Sequence, residues 1–94
     1  MPAVTRKGDL CSGHGAFMPS ALNEGSPNVF INGLPCGRLG DSYTEHTDGI
    51  SYHGRNISSG SSTVFANGIP VARVGDSVSC GSTVAQGSPN VNAN

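Results

Sequence analysis

The chain has 94 residues, a net charge of −1, 12% charged and 35% hydrophobic residues, 14 glycines and no tryptophan. One small domain with so little apolar material excludes a large core and favours stabilisation by a disulfide, a metal or a partner chain. Near-neutral charge excludes a typical nucleic-acid surface, and no segment approaches the roughly 20 apolar residues of a membrane helix.

Two β-hairpins with one shared pattern are predicted in chain order. Each combines a β-branched or aromatic run, an Asn-Gly pair and a return strand: residues 29–31, Asn32-Gly33 and 34–39, then 64–66, Asn67-Gly68 and 69–74. Asn-Gly in this context indicates a hairpin because a type I′ turn needs positive φ at both central residues. Pro35 and Pro70 lack an N–H, so the return strands must be short or lie at an edge. Without sustained helical periodicity, the sequence predicts an all-β fold with almost no helix.

The hairpins belong to a longer internal repeat. Residues 25–41 (GSPNVFINGLPCGRLGD) and 60–76 (GSSTVFANGIPVARVGD) align without gaps. A third copy is split between the chain ends, with residues 87–94 matching its opening and residues 2–9 matching its close with one extra residue. Internal repetition indicates one supersecondary unit used more than once. The sequence therefore predicts a single domain over residues 1–94 with adjacent termini and three hairpin units around a pseudo-threefold axis.

Three histidines and one cysteine form a candidate metal site. His14, His46 and Cys80 each fall four or five residues after the aspartate that closes a unit, in loops that pseudo-threefold symmetry brings to one end. His53, the remaining histidine, is predicted to lie in a Gly-flanked loop and completes a set of four. Imidazole and thiolate ligands favour Zn²⁺, with iron as second choice, and disfavour Mg²⁺ and Ca²⁺, which prefer oxygen. The alternative is that each histidine is an ordinary solvent-exposed loop residue.

The other two cysteines are predicted to be structural. Cys11 has a ligand-like C-x-x-H spacing, but its repeat equivalents are Tyr43 and Val78, so we interpret it as a semi-buried thiol. Cys36 aligns with Val71 and replaces a small apolar residue. An odd number of cysteines without a signal peptide argues against a disulfide framework and predicts synthesis in the cytoplasm.

Each unit also carries an arginine three residues before an aspartate. These pairs are Arg6/Asp9, Arg38/Asp41 and Arg73/Asp76. A catalytic acid and base is one interpretation. We favour a structural role, in which the aspartate of a Gly-Asp turn bonds nearby backbone and pairs with the arginine.

The repeated unit resembles a known family. The pattern NG-x-P-x-x-R-x-GD, present as residues 67–76, is similar to the PAAR (proline-alanine-alanine-arginine) repeat. The segment Pro70 to Arg73 is the namesake, and the segment Pro35 to Arg38 is a looser copy in which Cys36-Gly37 replaces the usual small apolar pair. The resemblance covers nearly the whole chain.

The resemblance implies a structural protein, not an enzyme: the spike tip of a contractile injection machine such as a type VI secretion system or a phage tail. Such a tip forms a small cone on the blunt end of a trimeric β-helical needle (a VgrG-like or phage tail-spike protein). A metal near its point is held by three histidines and one cysteine, matching His14, His46, His53 and Cys80. The resemblance also implies transient contact with a target membrane, optional effector partners, no nucleic acid, and delivery outside the cell.

Two other functions stay open on the sequence alone. A small metal-dependent hydrolase needs an open metal position and a general base, for which Glu45 is the candidate. A free-standing adhesion or carbohydrate-binding module needs an exposed aromatic platform. The aromatic residues are Phe17, Phe30, Tyr43, Tyr52 and Phe65. For the needle-binding base, strand alternation suggests Val29, Ile31, Val64 and Ala66.

Overall fold

The structure is a computed structural model that describes residues 1–13, 19–47, 52–79 and 81–94, leaving out the side chains of 45–47 and 52–55. Within these ranges six short strands form three antiparallel pairs: β1 (Phe30–Ile31) with β2 (Leu34–Pro35), β3 (Ser42–Thr47) with β4 (Tyr52–Asn56), and β5 (Phe65–Ala66) with β6 (Ile69–Pro70). None of the described residues is helical, so none lies in a helix able to cross a membrane. The prediction of a strand-rich chain without helices is confirmed for these residues.

The two predicted hairpins form at the predicted residues. Asn32 (φ 54°) and Gly33 (φ 81°) connect β1 to β2, while Asn67 (φ 57°) and Gly68 (φ 74°) connect β5 to β6. Positive φ at both central residues is the requirement of a type I′ turn, and glycine accepts it because it has no Cβ. The Asn-Gly pairs therefore set the register of both hairpins.

The two ends of the chain pair with each other as the strands of a hairpin do. Ala3 bridges Asn92, and the N–H of Ala93 donates to the carbonyl of Pro2 at 3.0 Å. The adjacency of the termini, which the split repeat requires, is therefore present. Ala3 stands where the other two copies have proline, so the N-terminal copy contains no extra residue, and this corrects the alignment given above.

Backbone hydrogen bonds join the three copies in a closed ring. The N–H of Thr5 donates to Ala72 (3.0 Å), that of Ala72 to Gly37 (3.0 Å), and that of Gly37 to Thr5 (2.9 Å). All three residues are buried, and we call them the axial ring. A second set of bonds joins the copies in the opposite order: the N–H of Lys7 donates to Pro35, that of Leu39 to Pro70 and that of Val74 to Ala3. These bonds satisfy backbone groups that would be costly to bury unpaired.

Among the described residues, the apolar core consists of two small clusters made largely of repeat-equivalent residues. The axial ring lies between them along each copy, and its member Ala72 also packs in the second cluster. The first cluster contains Val4, Cys36, Val71, Ala66 and Ala93, and the second contains Cys11, Tyr43, Val78, Leu22, Ile57, Val84 and Ala72. Cys36 therefore has the small apolar role predicted for it, whereas Cys11, at 1% exposure, is fully rather than partly buried.

The pair β3–β4 was not predicted from the sequence. His46 lies in β3 and His53 in β4, which corrects the expectation that both lie in loops. The start of β3 is held in extended conformation by a neighbouring segment: Tyr43 bridges Leu22, and the N–H of Thr44 donates to the carbonyl of Ala21 at 2.9 Å. Tyrosine and threonine also favour strands because they pack well on a pleated surface.

Candidate functional site

Two regions of the molecule are candidates for function. We call residues 10–21, 42–56 and 77–83, which follow the aspartate of each copy, the loop end. The two hairpins with their Asn-Gly turns (residues 29–35 and 64–70), together with the paired termini, form the hairpin end. The predicted metal ligands all fall in the loop end, and the predicted needle-facing residues fall in the hairpin end.

Of the four predicted metal ligands, His14 and Cys80 lie outside the described residues. His46 and His53 are directly opposite each other in the register of β3 and β4. Backbone positions opposed in an antiparallel pair have Cα atoms about 4.5–5.5 Å apart. Among the side chains that the structure describes, no group of three or more His, Cys, Asp or Glu is arranged to hold a metal.

The described neighbours of these ligands are joined by hydrogen bonds. Before His14, Ser12 Oγ lies 3.1 Å from Ser82 Oγ, and the Ser12 N–H donates to the carbonyl of Thr83 at 2.8 Å. Before Cys80, the N–H of Ser79 donates to the carbonyl of Asn56 at 2.9 Å. Asn56 ends β4, the strand that carries His53. Residues flanking three of the four predicted ligands therefore belong to one bonded group at the loop end.

Cys11, the rival ligand, lies within the second core cluster. Burial opposes ionisation of its thiol. The pKa is nevertheless held below its ordinary value, because the backbone N–H groups of Ser20 and Gly13 and the hydroxyls of Ser82 and Ser20 bond the sulfur. Its place among Tyr43 and Val78 supports the structural interpretation made from the repeat.

The three arginine–aspartate pairs have one geometry. In each, the aspartate Oδ2 accepts a hydrogen bond from the arginine's own backbone N–H, and the carboxylate also pairs with the guanidinium. The closest ion-pair distances are 2.9 Å for Arg6–Asp9, 3.3 Å for Arg38–Asp41 and 2.9 Å for Arg73–Asp76. The hydrogen bonds that their guanidinium groups donate to Asp9 and Asp76 raise the pKa of Arg6 and Arg73 above the ordinary value. The contacts agree with a structural role, since the carboxylates are committed to closing the turns.

Exposed aromatic rings distinguish the hairpin end. Phe30 and Phe65 are 55% and 54% exposed and occupy equivalent places in β1 and β5, where the paired termini have Asn92. The alternation suggested for the needle-facing residues is wrong at Ala66, which is 2% exposed and belongs to the first core cluster.

A shallow cavity of about 350 Å³ lies beside Phe30. Its charged lining residues are Lys7, Glu24 and Arg38. Hydrogen bonds from the Ser42 hydroxyl and backbone N–H hold the pKa of Glu24 below its ordinary value. Because Glu24 is bonded to Ser42 and Arg38 to Asp41, the cavity presents few uncommitted polar groups.

Sequence reasoning missed a set of side-chain hydrogen bonds at the hairpin end. The amides of Asn32 and Asn67 each reach across to a serine, an asparagine and an arginine of another copy. The bonded groups are Ser88, Asn90 and Arg6 for Asn32, and Ser26, Asn28 and Arg38 for Asn67. The repetition of Ser and Asn at the opening of the units was the available signal.

The family model described as PAAR motif matches residues 47–94, just over half of the chain. The matched stretch contains His53, Cys80 and the Arg73–Asp76 pair, whereas His14 and His46 lie before it. No curated protein matches the chain.

Proposed function

The chain belongs to the PAAR family, and from that premise we propose that it caps the blunt end of a trimeric β-helical spike in a contractile injection machine. In this role it is a structural protein rather than an enzyme. The machine is a type VI secretion apparatus, a phage tail or a related particle. The chain is the point that meets the target membrane and is delivered outside the cell, with effector proteins as optional passengers.

The observation that carries this proposal is the axial ring. Thr5, Gly37 and Ala72 belong to three different copies, and each donates its N–H to the next around a closed circuit. A single chain thereby has three like segments around one axis. Such a chain can match the end of a true trimer while remaining single at its apex, so one tip serves three needle chains.

The hairpin end has the chemistry expected of the surface that meets the needle. Among the described residues, β1 and β5 each pair with one strand only, so their outer edges are available for strand addition. Phe30 and Phe65 stand on these edges and are half-exposed. Unpaired strand edges and aromatic rings together supply backbone hydrogen bonds and apolar contact area.

The loop end is the proposed apex of a cone. We propose that His14, His46, His53 and Cys80 hold one Zn²⁺ there, with iron as second choice. The register of His46 with His53 supports this ligand set. So do two bonds between segments that carry the ligands, one from Ser12 to Ser82 and one from Ser79 to Asn56. Four protein ligands complete a tetrahedral zinc site, so the metal would stabilise three converging segments rather than activate water.

Binding to the needle tests the role. In Phe30→Asn/Phe65→Asn, both copies carry the residue that the third copy has at Asn92. We expect affinity for the cognate trimeric spike to fall roughly tenfold or more, since burial of each half-exposed ring can contribute about 1 kcal/mol to the free energy of binding. Titration by calorimetry measures the change.

Leu10→Ser is the matched control, because it removes an exposed apolar side chain and installs the residue found at Ser42 and Ser77. We expect it to bind as the unmodified protein does. Equal affinity for the double variant and the unmodified chain would contradict docking through the hairpin end.

A further inference from the structure

Each Asn-Gly turn is held by an equivalent set of hydrogen bonds to the asparagine side-chain amide, and we call these two sets the amide clamps. At Asn67, the side-chain Oδ1 accepts hydrogen bonds from Ser26 Oγ (2.5 Å) and Arg38 Nη1 (3.2 Å). The Nδ2 group donates to Asn28 Oδ1 at 2.6 Å. The amide therefore has three partners, all from the preceding copy.

The clamp at Asn32 repeats this arrangement with the termini. Its Oδ1 accepts from Ser88 Oγ (2.5 Å) and Arg6 Nη1 (3.1 Å), and its Nδ2 donates to Asn90 Oδ1 at 2.8 Å. Each clamp thus connects a hairpin turn of one copy to the opening serine and the arginine of another.

We propose that Asn32 and Asn67 are sites of spontaneous deamidation and that the amide clamps set the rate. The backbone nitrogen of Gly68 forms a bond to Cγ of Asn67, and Nδ2 leaves as ammonia with the proton of the Gly68 amide. Water then opens the cyclic imide to aspartate or isoaspartate. Gly33 attacks Asn32 in the same way. Glycine favours the attack because no Cβ obstructs the approach of its nitrogen.

The clamp opposes this reaction because Cγ must rotate towards the glycine nitrogen. That rotation breaks the bonds to Ser26, Arg38 and Asn28 together. The product also differs at the clamp: the aspartate has no Nδ2, so it has no donor for Asn28 Oδ1, and it adds a negative charge where two copies meet. Deamidation therefore weakens a connection between copies at the hairpin end.

Mass spectrometry of peptides from protein aged at mildly alkaline pH, with isoaspartate detection, measures the rate at each site. We expect both sites to react more slowly in folded than in denatured protein. Ser26→Ala removes one donor to Asn67, and we expect deamidation there to accelerate about fivefold, the factor equivalent to roughly 1 kcal/mol. The rate at Asn32 should not change.

Ser61→Ala is the matched control. Ser61 Oγ accepts hydrogen bonds from the backbone N–H groups of Thr63 and Val64, as Ser26 Oγ does from those of its own copy. Among the described residues, however, no asparagine side-chain amide bonds Ser61. Should Ser26→Ala unfold the chain, Asn28→Ala with Thr63→Ala as its control repeats the test. Equal rates in folded and denatured protein, or equal acceleration by a variant and its control, would overturn the proposal.

Discussion

The hairpin end and the loop end follow different rules. At the hairpin end the three copies have nearly the same length and sequence, one axial ring joins them, and the amide clamp at Asn67 is repeated at Asn32. At the loop end, segments 10–21, 42–56 and 77–83 differ in length and sequence, and only 42–56 contains a strand pair among the described residues. Backbone closure by the repeat therefore leaves the loop end free to vary in length and sequence. A metal is our proposed additional source of stability for the loop end.

Loss of the metal should have the largest effect. We expect Cys80→Ser to lose zinc and to lower the free energy of unfolding by several kcal/mol, because structural zinc contributes roughly 10–16 kcal/mol of apparent binding energy in small domains. Elemental analysis and thermal unfolding, with and without a chelator, measure both effects. A chelator that leaves the melting temperature unchanged would count against a metal-stabilised loop end.

Disruption of the axial ring should have the next largest effect. A Cβ at Gly37 would lie 2.6 Å from Thr5 Cγ2 and 2.8 Å from Leu22 Cδ2. We expect Gly37→Ala to cost about 1–3 kcal/mol, as overpacking does, in chemical denaturation.

Thr5→Ser added to Gly37→Ala provides the internal control. It removes Cγ2 but keeps the hydroxyl that donates to the carbonyl of Gln86 at 2.8 Å. We expect the double variant to regain part of the lost stability. Additive losses would show that the two side chains do not meet across the ring.

Circular permutation that opens the chain at the hairpin end should change the stability less than disruption of the axial ring does. Replacing Met1 with a glycine that is joined to Asn94 creates an Asn-Gly turn between the two ends of the chain. The chain can then be opened between Asn67 and Gly68. Because the new ends lie at an exposed turn, we expect a folded protein of similar melting temperature. Opening between Gly37 and Arg38 instead should prevent folding, and circular dichroism compares the two permutants.

Substitution within the first core cluster should have the smallest effect. Burial raises the pKa of Cys36 to about 11 from an ordinary value of 9.0. The folded state therefore holds the thiol proton more tightly than the unfolded state does. The stability that this difference contributes is fully present below about pH 9 and is lost as the pH rises to about 11.

Cys36→Val installs the residue found at Val4 and Val71. We expect nearly unchanged stability at neutral pH and a smaller loss of unfolding free energy than in the unmodified chain between pH 9 and pH 11. Denaturant titrations at these pH values make the comparison. Parallel losses in the two proteins would show that folding does not raise the pKa of Cys36.

Local signals predicted the hairpin end well. Asn32-Gly33 and Asn67-Gly68 fix turn type through the conformation of two residues, so no distant contact is needed to identify them. The repeat spacing also gave Cys36 its small apolar role in the core, whereas it predicted only partial burial for Cys11, which the structure buries fully. These inferences succeeded because each depends on a few neighbouring residues or on equivalence between copies.

Long-range pairing was not predictable in the same way. His46 lies in a strand because residues 21–22 pair with the start of β3, and nothing within the segment 42–47 specifies that partner. The amide of Asn67 finds Ser26 and Asn28 only after the copies assemble. The closed circuit of the axial ring likewise exists only in the folded chain.

The most direct test is the stoichiometry of the assembled tip. Native mass spectrometry of the chain mixed with its cognate trimeric spike should give one copy of this chain for three needle chains, since the axial ring makes one chain the equivalent of three units. A complex with three copies per needle trimer, or no complex at all, would contradict the account.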